Sequence, residues 1–443
     1  EKFADYGEVQ IKQLNDRSKM YYTPNKENNV FQLVVQYGAG EREFPKLGYA
    51  AQLMNNAGIM GAYEPQELKE ELSKLNATCH VTADDDNLYI IMEGYEATLP
   101  QACQLLSRQI LMPKLDEKQL ARLKGSAMGM RQQRKDNVSI LNEALRQYML
   151  YGEKSDYIKE LTDKEIYELQ ISELTGDINR ASNYEAKVFF TGTLPFDQVY
   201  DILSKNLPLV ANERPSNSPQ AKEMMPVTEN TVYFLPNNDA EQAQIHLYIP
   251  MQKADKKDDV LRSAFNQYFG LDFTGIVLNE IREKRSMAYT AYAFVGTQGI
   301  AGKASYLRGY IGTQNDKAND ALDVLMSLVN DMPKNPERIG NIKSYLRQAM
   351  LTSHPSFRNK AMELVDLGYR GYTDDPAKEN LPKVDALTFD DIVKFYEENI
   401  KGKPYCISIM GNPKDIDLKR LEKFGKVVKL NERKLFNTKD ALF

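Results

Sequence analysis

Apolar and polar positions along this chain follow two periods, one of strands and one of helices. "VFQLVVQYG" (30–38) and "LYIIMEG" (88–94) are short apolar strands bounded by polar or glycine positions. "DDVLRSAFNQYFG" (258–270) instead places Val260, Leu261, Ala264, Phe265, Tyr268 and Phe269 at helical spacing. Strands of this kind alternate with helices of ten or more residues, which predicts a mostly antiparallel sheet with helices packed on one face, an α+β layer.

The plan is written twice. "YYTPNKENNVFQLVVQYG" (21–38) and "YFLPNNDAEQAQIHLYIP" (233–250) each read as strand, Pro-Asn turn, strand. "MPKLDEKQLARLKGSAM" (112–128) and "MPKNPERIGNIKSYLRQAM" (332–350) each open a long helix. "LTDKEIYELQISEL" followed by "AKVFFTGTLPFDQVYDIL" has its counterpart in "LTFDDIVKFYEENI" followed by "PYCISIMGNPKDIDLKRL", with Gly192 and Gly411 closing equivalent apolar strands. A constant offset of about half the chain, with element order kept, predicts two homologous domains rather than a short solenoid repeat. The stretch 210–230, rich in Pro, Asn, Ser and charge, reads as the joint. The expected units are 1–213 and 231–443, with 214–230 as linker.

Composition narrows the class. At 443 residues the chain exceeds one ordinary core. No apolar run is long enough to cross a bilayer. A net charge of −5 without any basic block gives nucleic acid no electrostatic footprint. The sequence starts at Glu1 without a signal-type apolar stretch, which reads as a processed protein or a piece of a longer one. Cys79, Cys103 and Cys406 are odd in number and far apart, so each reads as a small buried side chain. His80, His246 and His354 have no partner at i+3 or i+4, and no Cys-x-x-Cys exists. A locally built zinc site is therefore absent, and His246 in "QIHLYIP" reads as a core or sheet-face histidine.

One stretch stands out against this acidic background. "IREKRSMAY" (281–289) gathers four charges in a helical turn and ends on a tyrosine. Read alone, these are cations at a helix C-terminus answering the macrodipole. Arg282 lies beside the apolar line Phe273, Val277 and Ile281, and "YTAYAFVG" (289–296) sets Tyr289, Ala291 and Ala293 on one strand face with Tyr292 on the core side. "GTQGIAGK" (296–303) reads as a hairpin turn and "KADKKDD" (253–259) as a solvated loop.

The duplicated layout, with these segments in this order, resembles the pitrilysin or insulinase-type metallopeptidases over nearly the whole chain. In that family two such domains form a half, and two halves close around a peptide. The active half holds zinc through an inverted His-x-x-Glu-His motif on the first long helix, plus a glutamate on a later helix. Here Gly48-Tyr49-Ala50 leads into Ala51-Gln52-Leu53-Met54-Asn55. Ala51 and Asn55 stand where the two histidines would be, and Met54 where the glutamate base would be. The later helix, 118–135, contains no acidic residue, and Met128 falls near the third ligand position. Alanine has no donor and one amide oxygen does not hold zinc.

The half without zinc in that family carries an arginine and a tyrosine seven positions apart, in a pattern like Leu-Arg-x-Lys-x-x-Leu-x-Tyr. Arg282, Lys284 and Tyr289 match that spacing. The resemblance therefore implies the zinc-free half of a metalloendopeptidase, with Arg282 and Tyr289 reaching a substrate carbonyl. No cofactor is expected in this chain, and zinc is expected on the partner half. The implied partners are a zinc-bearing N-terminal half or separate catalytic subunit and a peptide substrate, with an extracytoplasmic bacterial setting such as the periplasm. Lys284 and Arg285 keep the helix-end reading. The alternative is a structural or chaperone-like member that has lost catalysis.

Overall fold

A computed structural model describes residues 3–271 and 273–439. Glu1, Asp272 and the outer ends of the two expected domains lie outside the described residues. The strands are β1 Gln10–Gln13, β2 Lys19–Pro24, β3 Val30–Tyr37, β4 Gly58–Ile59, β5 Thr78–Ala83, β6 Leu88–Tyr95, β7 Pro113–Lys114 and β8 Ala186–Gly192, then β9 Thr231–Pro236, β10 Gln242–Lys253, β11 Thr290–Thr297, β12 Ala304–Gln314, β13 Cys406–Gly411 and β14 Lys426–Lys429. They build two six-stranded sheets, ordered β1-β2-β8-β3-β6-β5 and β11-β12-β10-β13-β9-β14, and a small β4-β7 ribbon. In the first sheet β2 and β8 are parallel, while β8-β3-β6-β5 are antiparallel. The run β9-β13-β10-β12-β11 has the same order and the same senses. The α+β class expected from the sequence is the fold observed.

The helices that position the site are α1 Leu47–Met54, α2 Pro65–Lys74, α3 Leu99–Leu111, α4 Glu117–Gln132 and α5 Val138–Tyr151, then α6 Asp259–Phe269, α7 Ala318–Asn330, α8 Ile339–Thr352 and α9 Lys360–Tyr369. Two large cores lie beneath the helical faces. Phe31, Leu33, Val35 and Tyr37 of β3 point to the first, with α1 and α3 covering them. Ile245, Leu247 and Ile249 of β10 point to the second, against Val260, Ala264, Phe265, Tyr268 and Phe269 of α6. Five of the six apolar residues spaced for that helix are fully buried, and Leu261 packs at the rim.

The opposite sheet faces are covered reciprocally. Helix α5, from the first half, lays Leu141, Ala144 and Leu145 against Leu235 and Met410 of the second sheet and Leu430 and Leu435 beyond it. Its last turn adds Met149 and Leu150 against Tyr248 and Cys406. Helix α9, from the second half, lays Ala361, Met362, Leu364 and Val365 against Val34, Phe189, Tyr21, Tyr89 and Ile91 of the first sheet. Val34 is thus buried although it points away from the first core, which is why "VFQLVVQY" does not alternate cleanly. The chain ends add to the exchange. The Ala4 N–H donates to Asp375 (2.6 Å), and the Asn437 N–H donates to the Tyr157 carbonyl (3.0 Å).

The sequence around α5 explains its placement. The Asn137 side chain caps the Ile140 N–H (3.1 Å) at one end. At the other, Gly152 takes a positive φ of 57°, where an added Cβ would meet Met225 Sδ at 2.8 Å. Met225 belongs to the Pro-rich stretch, which is pinned along its length. Glu213 accepts from the Arg17 and Ser18 N–H groups (3.1 and 3.0 Å), Asn217 donates to the Gly38 carbonyl (2.7 Å), and Met225 donates to the Leu150 carbonyl (2.7 Å).

Four local expectations are corrected. Tyr292 lies on the outer sheet face, half-buried, because Ala291, Ala293 and Val295 supply the core side of β11. Phe273 is 78 % exposed, in a turn before Ile276, so it does not extend the apolar line of Val277 and Ile281. "KADKKDD" is divided between the end of β10, one tight turn of helix at Lys256–Asp258 and the start of α6. Cys79 is half-buried on an edge strand, not fully enclosed as Cys103 and Cys406 are. "GTQGIAGK" forms the β11–β12 hairpin, with Gly299 and Gly302 at positive φ.

The α5 crossing predicts a stability effect. Leu145→Ala should lower the unfolding free energy by about 3 kcal/mol, read by urea denaturation, while the half-exposed Tyr345 tolerates Tyr345→Ala within about 0.5 kcal/mol. Equal losses at both positions would contradict the assignment of α5 as an interior strut.

Candidate functional site

Two places bear on function, one in each half. In the first half, Ala51 and Met54 of α1 are 1 % and 2 % exposed inside the first core. The helix is shorter than expected, eight residues, and Asn55 follows its last turn. The Asn55 amide is consumed by the sheet. Its Nδ2 donates to the Val81 carbonyl (2.9 Å) and to the Ala51 carbonyl (3.3 Å), and its Oδ1 accepts from the Val81 N–H (2.8 Å). Val81 sits on β5, an edge strand, so the side chain pairs both backbone groups that face away from β6. Met128, on α4, packs partly buried against the same core.

An aliphatic side chain, a buried thioether and an amide already pairing its donor and acceptor do not fit a zinc site. Among the described residues, no group of three His, Cys, Asp or Glu side chains is placed to hold a metal ion. His80 and His354 are exposed. His246 faces α5, where its Nε2 meets Asn142 Oδ1 at 3.0 Å and its ring lies 5.1 Å from that of Tyr310. Burial pushes its pKa down to about 3, with the Arg146 and Arg308 charges adding to the effect. It is a neutral part of the interface between the halves.

The second half repeats the edge-strand device. Asn266 of α6 donates to the Val295 carbonyl (2.9 Å) and accepts from the Val295 N–H (2.6 Å) on edge strand β11. The sequence reading missed this pair. Its signal was present, since the asparagines lie at or near the end of the corresponding helices, Asn55 just after α1 and Asn266 in the last turns of α6.

Arg282 and Tyr289 line one cleft of about 410 Å³, together with Glu283, Ser286, Gln314 and Lys317. The backbone presents them in an unusual way. After Ile276–Leu278 the helix widens into a π turn, in which the Lys284 N–H reaches back five residues to the Asn279 carbonyl (2.9 Å). Such turns re-aim side chains by one position. Ser286 then ends the helix in the left-handed region, at φ 51°, with its N–H on the Arg282 carbonyl (2.9 Å). Ile281 anchors the turn in the second core, and Ala288 and Ala291 hold the strand that follows. The Tyr289 N–H bonds the Gly312 carbonyl (3.2 Å), while its ring is 65 % exposed.

The charges in this turn divide into two sets. Lys284 and Arg285 both donate to the Glu280 carboxylate, and these bonds hold its pKa below the usual range. The Arg282 guanidinium approaches only Glu283, at 3.6 Å from Nε, and forms no hydrogen bond among the described residues. Arg282 lines the cleft together with Tyr289.

A chain with two such sheets, and with no metal-binding cluster among its described residues, resembles non-catalytic pitrilysin-like proteins in fold. Residues 182–343 match the family model described as the peptidase M16 inactive domain, a span that includes Arg282 and Tyr289. The chain matches that model over this span and shares its fold with a solved inactive domain of the family. Similar solved structures include a peptidase M16 inactive domain from Pseudomonas fluorescens (18 % identity, TM-score 0.70), which covers 91 % of this chain and 98 % of that one. The ferredoxin protease FusC, solved in complex with an Arabidopsis ferredoxin, is 12 % identical with a TM-score of 0.71, covering 93 % of this chain and 46 % of that one. The periplasmic protease PqqL from Escherichia coli is 12 % identical with a TM-score of 0.68, covering 93 % of this chain and 47 % of that one. This chain thus spans about half the length of FusC and PqqL. No curated protein matches. Among the described residues, no helix is long and apolar enough to cross a membrane.

The filled position makes a testable statement. Asn55→Ala should cost about 1–3 kcal/mol of stability, because it strips the partners from two backbone groups of an edge strand. Hydrogen exchange at the Val81 amide should accelerate in step. An unchanged Val81 exchange rate would show that the amide bonds contribute nothing.

Proposed function

We propose that this chain is the zinc-free half of a pitrilysin-like metalloendopeptidase, built from two homologous units, 1–213 and 231–443. It would form one wall of a peptide chamber and supply Arg282 and Tyr289 to a reaction centre completed by a zinc-bearing half. The observation that carries this reading is the cleft. Of three neighbouring cations, the two that do not line it are neutralised by Glu280, and the one that does has only Glu283 near it among the described residues.

The chemistry suits those two side chains. Attack on a peptide carbonyl places negative charge on the former carbonyl oxygen, and donors held in advance at that point stabilise it. A zinc ion held by the partner half would supply the activated water and polarise the carbonyl. Arg282 offers a planar, cationic fork of donors. Tyr289 adds one directed hydroxyl from a ring rooted in a strand. The match to the inactive domain and the likeness to FusC and PqqL, each about twice as long, support a role as half of a peptidase. The periplasmic description of PqqL supports an extracytoplasmic setting for this chain as well.

The test is assisted cleavage. The chain is mixed with its zinc-bearing counterpart, and peptide hydrolysis is compared for wild type, Arg282→Ala and Tyr289→Phe. The arginine variant should lose roughly a hundredfold or more in kcat, and the tyrosine variant about tenfold, with KM changed less. Metal analysis of the isolated chain should find no stoichiometric zinc. No assisted cleavage, or cleavage indifferent to both substitutions, would instead favour a structural member of the family.

A further inference from the structure

A cleft of about 800 Å³ lies in the first half between α1, the end of α4, the segment 154–161 and the crossing stretch 220–223. It is densely charged, and nearly every charge has a partner. Arg42 pairs with Asp85 and Asp86 (both 3.1 Å). Arg131 pairs with Asp163 (2.6 Å), and Arg134 with Glu160. Lys154 pairs with Glu223, and Lys222 with Asp156. One carboxylate is left over. Glu41 lines the cleft and makes no ion pair or side-chain hydrogen bond among the described residues. Lys159, exposed at the rim, is the cleft's cation outside any pair among the described residues, and it does not reach Glu41.

Glu41 is held in this position by design of the backbone. Its N–H bonds the Asp84 carbonyl (2.8 Å), which fixes the loop after β3 against the β5–β6 hairpin. Its carboxylate lies against Gly48 in the first turn of α1, where an added Cβ would meet Oε1 at 2.3 Å. Burial, reinforced by Asp85, Asp84 and Asp156, pushes its pKa up to about 7. The groups facing it from the packed elements are these three aspartates, the paired Arg42, Tyr49 of α1, and the paired Arg131 and Arg134 of α4 and the turn beyond it. Pro45, Tyr49, Ala127, Met130 and Leu161 add apolar surface to the same cleft, among its ion pairs and the unpaired Glu41.

Such a site fits a cation on an alkyl stem, which buries the stem on apolar surface and sets its charge on the carboxylate. We propose that this cleft binds the lysine or arginine side chain of an extended polypeptide, with Glu41 as its counter-ion. The proposal adds a preference for basic residues to the peptide-chamber reading, on which its biological sense rests. Its measurement uses the chain alone, so its failure and that of assisted cleavage are told apart.

The probes are an end-blocked decapeptide of Gly, Ser and Tyr carrying one arginine, the same peptide with citrulline instead, and N-acetyl-arginine amide. Citrulline keeps the shape and removes the charge. Fluorescence anisotropy with the wild-type chain at pH 8 should show the arginine peptide bound at least about tenfold tighter than the citrulline peptide. That preference should shrink as pH falls below 7, where Glu41 takes up a proton, and vanish in Glu41→Gln. Gly48→Ala, which displaces the carboxylate, should weaken it. Glu41→Gln should also raise the melting temperature at pH 8 more than at pH 5. A carboxyl with a raised folded pKa contributes stability below its unfolded pKa, and that contribution is lost as pH rises through the folded value. Equal binding of the arginine and citrulline peptides, or a preference surviving Glu41→Gln, overturns the proposal. Binding of N-acetyl-arginine amide as tight as that of the peptide overturns its polypeptide part.

Discussion

The structure depends on an exchange of apolar helices between its two sheets. A sheet that is covered on one face only must leave the other to water, and these sheets have apolar residues on both. Tyr21, Val34, Phe189 and Ile91 on the back of the first sheet are met by α9 from the far half. Leu235, Tyr248 and Met410 on the back of the second are met by α5. Burial of this kind contributes about 25 cal/mol per Å² of apolar surface, so separating the halves would return two apolar faces to solvent at once. The halves are therefore one body, and the segment between them behaves as a pinned strap along both sheets.

That constraint fixes where chemistry can occur. Because the sheet backs are occupied, the exposed functional surface is left to the helix ends and the edges of the sheets. Both edges reached by the first helix of a half, β5 and β11, are paired locally by an asparagine amide, Asn55 or Asn266. The Asn55 amide is thus a structural fastening, and polar side chains gather in two clefts. One offers an unspent guanidinium and a phenol, the other an unpaired carboxylate.

Much of the architecture was legible in the sequence because it is periodic. The α6 residues from Val260 to Phe269 and the strands around Phe31 and Ile245 carry their burial in their spacing. Tyr292 was misread because β11 has small residues, Ala291 and Ala293, on its core side, so size pointed to the wrong face. Phe273 was misread because periodicity was extended through a turn that ends before Ile276. The reciprocal helices could not be read at all, since their partners lie across the chain and α5 and α9 look like ordinary amphipathic helices. Of the clefts, Arg282 and Tyr289 were found through spacing that matched a family, whereas Glu41 was invisible. Its distinction is the lack of a partner among many ion pairs, and pairing is a property of three dimensions.

The most direct measurement of the central claim is a structure of this chain with a zinc-bearing half and a phosphinic peptide, which carries a tetrahedral oxyanion at the scissile position. The account predicts the Arg282 guanidinium and the Tyr289 hydroxyl at about 3 Å from the ligand at that position. A complex in which their cleft opens to bulk solvent, on the outside of the joined halves, would contradict it.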